Sequence, residues 1–89
     1  MKPLIIRKAG GVWWIIRRHQ DREYHAPVTV NETAARIMEL LQEGKSSREI
    51  AELLAEGDET LIDGILQDIL DIRDEICAKT GLEEEFPRG

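Results

Sequence analysis

The sequence predicts an α+β domain: a three-stranded antiparallel sheet followed by three helices, in a winged-helix-like order. Three observations point there. The first thirty residues are rich in β-branched and aromatic residues and are broken by short turns. From Asn31 onward, apolar residues recur at helical spacing between recognisable caps. The chain has 89 residues, so both halves belong to one small domain, expected over residues 1–82, with residues 83–89 as an acidic flexible tail.

The strands come first. Leu4–Lys8 is short and β-branched, and Ala9-Gly10-Gly11 reads as a turn because glycine takes positive φ at no steric cost. Val12-Trp13-Trp14-Ile15-Ile16 is a strong strand former. Trp13 and Trp14 must point to opposite faces, so one indole turns away from the core. His19-Gln20-Asp21-Arg22 is the second turn. Tyr24–Val30 alternates, with Tyr24, Ala26, Val28 and Val30 on one face and His25, Pro27 and Thr29 on the other. Pro27 has no N–H and is expected on an edge strand or at a bulge, so this third strand is expected to be partly unpaired.

The helices follow. Asn31 is an N-cap, with Ala34, Ala35, Ile37, Met38, Leu40 and Leu41 along the apolar face and Gly44 just past the end. Ser46-Ser47-Arg48-Glu49 matches a capping box ahead of Ile50, Leu53 and Leu54, and that helix stops near Gly57. Asp58 is the expected cap of a third helix running to about Lys79. Its apolar stripe, broken only by Arg73, covers about half the circumference, where docking on one sheet needs roughly 100°. Either its own domain covers it on two sides, or a margin is left for a partner.

Charge is unevenly placed. Net charge is −6, yet residues 1–30 hold six basic and two acidic residues while residues 31–89 hold six and sixteen. A nucleic-acid binder normally presents a basic face. In a helix-turn-helix reading the recognition helix would carry Glu59, Asp63, Asp68, Asp71, Asp74 and Glu75 against Arg73, which phosphates would repel. No nucleic acid is therefore expected as a partner. No apolar run reaches membrane-spanning length, and Arg7 and Lys8 interrupt the first apolar run as no signal peptide would. One cysteine, Cys77, forms no internal disulfide and fits a reducing cytoplasm.

Candidate chemistry is sparse. His19 and His25 lack the converging ligands of a metal site. Cys77 lies in the apolar stripe, without the electropositive surroundings of a reactive thiol. Ser46 and Ser47 are accounted for by capping, and Gly10-Gly11 is too short for a phosphate loop. The reading is a binding protein with no catalytic residue, metal or cofactor.

Several short motifs, in order, resemble one family. They are Val28-Thr29-Val30-Asn31-Glu32-Thr33-Ala34-Ala35-Arg36-Ile37, then Leu40-Leu41, then Gly44-Lys45-Ser46-Ser47-Arg48-Glu49-Ile50, then Asp68-Ile69-Leu70 with Ile72 and Ile76. Over about residues 4–80 the chain resembles the PqqD-like proteins, the coenzyme PQQ synthesis protein D group also called RiPP recognition elements. Pro27, the late Gly81 and the acidic tail depart from that pattern.

The resemblance implies a peptide chaperone. It would bind the leader of a ribosomally made precursor as an added strand and present it to a modifying enzyme, such as a radical S-adenosylmethionine maturase. The leader would lie beside Tyr24, His25, Ala26, Pro27, Val28, Thr29 and Val30, in a groove against the third helix. Asp68 matches the family's aspartate, so the helix margin carrying Leu61 and Ile72 is expected to face the leader, with Ile65 as floor and Ile69 close by. The basic first thirty residues suggest an acidic leader, and the expected state is a monomer or weak homodimer. The competing reading is an acidic winged-helix interaction or regulatory module that binds no leader.

Overall fold

The computed structural model describes residues 3–17, 27–81 and Phe86. The order of elements is the predicted one: three antiparallel strands, then three helices. Strands β1 (Leu4–Ala9) and β2 (Val12–Arg17) form a hairpin closed by Gly10 and Gly11. Their φ angles are 63° and 78°. Positive φ at both loop residues gives a turn whose twist matches that of the strands, and glycine reaches it without strain.

Strand β3 (Val28–Val30) pairs with β2 through Ile15↔Val28 and Trp13↔Val30, giving sheet order β1-β2-β3. Alternation sends Leu4, Ile6, Trp13, Ile15, Val28 and Val30 toward the helices, and Ile5, Trp14, Ile16 and Thr29 away from them. Trp14 is thus the indole that turns from the core, and its Nε1 donates to the Ala9 carbonyl at 3.3 Å. Among the described residues the third strand runs over Val28–Val30. Pro27 precedes it, exposed and outside the ladder, where it has no N–H to contribute. Tyr24, His25 and Ala26 lie outside the described residues.

Helix α1 (Glu32–Gln42) starts on Asn31, whose Oδ1 accepts from the Ala34 N–H at 2.8 Å. Helix α2 (Ser47–Ala55) carries the predicted capping box. The Ser46 N–H donates to Glu49 Oε1 and the Glu49 N–H to Ser46 Oγ, both at 3.1 Å. Asp58 does not cap the third helix directly. It accepts from the Thr60 N–H and opens a 3-10 turn, Glu59–Leu61, that leads into α3 (Ile62–Thr80).

The helices enclose two joined cores. One holds Leu4, Ile15, Val28, Met38, Ile76, Cys77 and Phe86; the other holds Ile37, Ile50, Ala51 and Ile69. Leu41 and Ile72 pack against both. Phe86, placed by the sequence in a flexible acidic tail, is instead buried. Arg73 explains how: its Nε donates to the Phe86 carbonyl and its Nη1 to Asp74 at 2.9 Å. The guanidinium that interrupts the apolar stripe is itself buried, with its polar atoms engaged. Among the described residues, no helix is long and apolar enough to cross a membrane.

Candidate functional site

Strand β3 is an edge: among the described residues it pairs only with β2. An unpaired edge offers a row of backbone donors and acceptors. The chain turns at Asn31 straight into α1, and α3 passes alongside. A groove results between β3 and α3, lined by Val28, Thr29, Val30, Asn31, Ala34, Ile72, Glu75, Ile76 and Lys79. Its apolar walls come from alternate strand residues and from two positions one helical turn apart, Ile72 and Ile76. Lys79 Nζ and Glu75 Oε1 pair at 2.9 Å at its rim. Both partners are more than half exposed, so the pair contributes little to stability.

A second concavity continues from Asn31 and Ile72 along α3 toward α2. It is lined by Thr33, Ile37, Leu54, Ile65, Asp68 and Asp71 as well. Both expected residues line it, Ile65 half-buried and Asp68 exposed.

Two site residues fall elsewhere. Ile69 is 0% exposed, in the core with Ile37, Ile50 and Ala51, and touches no groove. It occupies the centre of the apolar stripe, and the centre is what docks on α2. Leu61 is 49% exposed and lines neither concavity. It belongs to the 3-10 turn, where about three residues per turn replace 3.6, so a wheel drawn at the α-helical angle misplaces it. Val28, Thr29, Val30, Ile65, Asp68 and Ile72 are therefore brought together; Pro27 stands just before the strand; Leu61 and Ile69 are not part of the groove.

Sequence reasoning missed several lining residues, among them Asn31, Leu54, Glu75, Ile76 and Lys79. The spacing of Ile72, Glu75, Ile76 and Lys79 could have found three of them, since i, i+3, i+4 and i+7 share one helix face. Nothing in the sequence brings Leu54 there.

The groove also carries charge. Its walls carry Asp68, Asp71 and the Glu75–Lys79 pair. Of the described sheet cations, Arg7 alternates onto the outer face, Arg17 Nη1 donates to the Thr80 carbonyl at 3.4 Å, and Lys8 stands on the inner face opposite Trp13. None of these three cations lines the groove. Set against family models, curated proteins and solved structures, the chain finds no match in any of the three comparisons.

Proposed function

We propose that this protein is a peptide-binding module that takes an extended segment of a partner chain as a fourth strand beside β3. The observation that carries the proposal is an edge strand whose open side faces a groove in which the half-buried Val30 and Ile72 stand among polar residues. Main-chain hydrogen bonds along the edge supply affinity, and the apolar wall selects among alternate side chains. The resemblance to PqqD-like proteins supports the identity of the ligand, the leader of a ribosomally made precursor. It equally supports the consumer, a modifying enzyme such as a radical S-adenosylmethionine maturase. In this reading the protein is a cytoplasmic carrier without chemistry of its own.

Calorimetric titration with the leader peptide of a precursor encoded beside this gene tests the proposal. Wild-type protein binds; Ile72→Glu, with helical circular dichroism retained, binds about tenfold more weakly or worse, because an apolar contact worth ~1.5–3 kcal/mol is lost. A folded wild-type protein that gives no heat with the peptide favours the competing interaction module and ends the leader reading.

A further inference from the structure

The groove beside β3 does not stop at Val30. Asn31 and Ile72 line both the strand-side stretch and the second concavity. Thr33 and Leu54 line both that concavity and a third cleft, between α1 and the inner face of the β1–β2 hairpin. Its apolar surface is Ile6, Trp13, Ala35 and Leu40. The three form one path around the N-terminal end of α1. The strand-side stretch is the smallest of the three, about 280 Å³ against about 580 and 600 Å³ for the others, so more room for large side chains lies beyond Val30.

Length and charge decide what fills the path. From Lys79 to Ile65, α3 runs about 21 Å at 1.5 Å per residue. An extended peptide covers that in roughly six residues, whereas β3 spans only three. A peptide lying along α3 therefore outruns the strand and arrives where the path bends past Asn31. Beyond the bend the charged lining is Asp68 and Asp71, then Glu32, Glu39, Glu43 and Arg36, with Lys8 opposite Trp13 on the same sheet face, so acidic groups predominate.

We propose that the ligand continues beyond its strand-paired residues as a basic, apolar segment, which seats in the Trp13 cleft. Lysine or arginine suits this path: the alkyl stem lies on Leu54 or the Trp13 ring while the cationic head meets the carboxylates. An acidic segment would meet like charge along the same walls. The inference rests on the peptide-binding reading and adds the second half of the ligand's chemistry.

The test pans a phage-displayed library of random twelve-residue peptides against the immobilised protein and titrates the recovered peptides as synthetic chains. Expected peptides carry lysine or arginine among aliphatic residues on one side of an apolar stretch. In the Trp14→Phe variant, Trp13 is the sole indole, and its emission shifts on binding. Asp68→Lys with Asp71→Lys, both at exposed positions, weakens binding about tenfold or more, as does Glu32→Gln with Glu43→Gln to a smaller degree. Peptides that are neutral or acidic, leave Trp13 emission unchanged and ignore these charge variants overturn the extension. If Ile72→Glu still abolishes their binding, the strand groove survives. Recovery of no peptide overturns both.

Discussion

The two halves of α3 are alike in sequence and different in use. In the C-terminal half Arg73, Ile76, Cys77 and Thr80 are all buried, enclosed by the sheet on one side and by Phe86 near the other. In the N-terminal half only Ile69 is fully buried, while Ile62, Ile65 and Leu66 remain half-exposed over α2. One over-wide apolar stripe thus has two causes. Where Phe86 packs against the same core, width serves stability. Where nothing described covers the second margin, the surplus becomes the wall of a groove.

The contrast breaks most directly at Phe86. Phe86→Ala removes a buried aromatic from the first core and loosens the carbonyl that receives the Arg73 Nε–H. A loss of about 3–5 kcal/mol is expected, a large fraction of the ~5–15 kcal/mol that holds a typical domain together. Urea unfolding measures it. A loss below ~0.5 kcal/mol, the range of ordinary surface substitutions, would mean that the C-terminal half stands without its second cover, and the two halves would no longer differ in kind.

A smaller contrast lies within the N-terminal half. Ile69→Ala empties a site in the second core, and a cost of about 2–5 kcal/mol follows. Leu61→Ala, at a half-exposed position in the 3-10 turn, stays within roughly 0.5 kcal/mol of wild type. Leu61→Glu likewise leaves peptide affinity unchanged, where Ile72→Glu does not. If Leu61→Glu weakened binding as much as Ile72→Glu, the groove would extend over the 3-10 turn and its lower boundary would need redrawing.

What the sequence disclosed follows the range of the forces involved. The Gly10-Gly11 turn, the Asn31 cap and the Ser46–Glu49 box are local, each decided by residues within three or four positions, and each stands where the pattern placed it. The third strand was half-legible: Pro27 announced an edge, but not that it would stand outside the ladder, which among the described residues starts at Val28. Arg73 read as a break in the stripe because its partner, the Phe86 carbonyl, lies thirteen residues away. Ile69 and Ile72 share the stripe, and only docking on α2 tells which is core and which is wall. The bend past Asn31 joins residues from β1, β2, α1, α2 and α3, and no spacing within one element encodes that convergence.

The smallest expected effect tests what supports the groove half. Helix α2 is the principal cover of the N-terminal half of α3, and its first turn is held by the Ser46–Glu49 box. Ser46→Ala removes the hydroxyl that accepts the Glu49 N–H, at a cost of about 1 kcal/mol. The same box carries a pH signature. The Ser46 backbone N–H, then the Ser46 side chain, hold the Glu49 carboxyl below its ordinary value of 4.5, with Lys45 adding a weaker pull. A depressed carboxylate stabilises the fold above the unfolded value, and that contribution fades as pH falls through the folded one. Asp58, lowered from 3.8 by the Thr60 hydroxyl and N–H, acts in the same direction at the entrance to α3. Stability should therefore fall between roughly pH 5 and pH 3, more steeply in wild type than in Ser46→Ala, where part of the Glu49 contribution is already gone. Urea unfolding of both proteins across that range measures the difference. Parallel curves would show that the box orders the first turn without linking the groove's support to protonation.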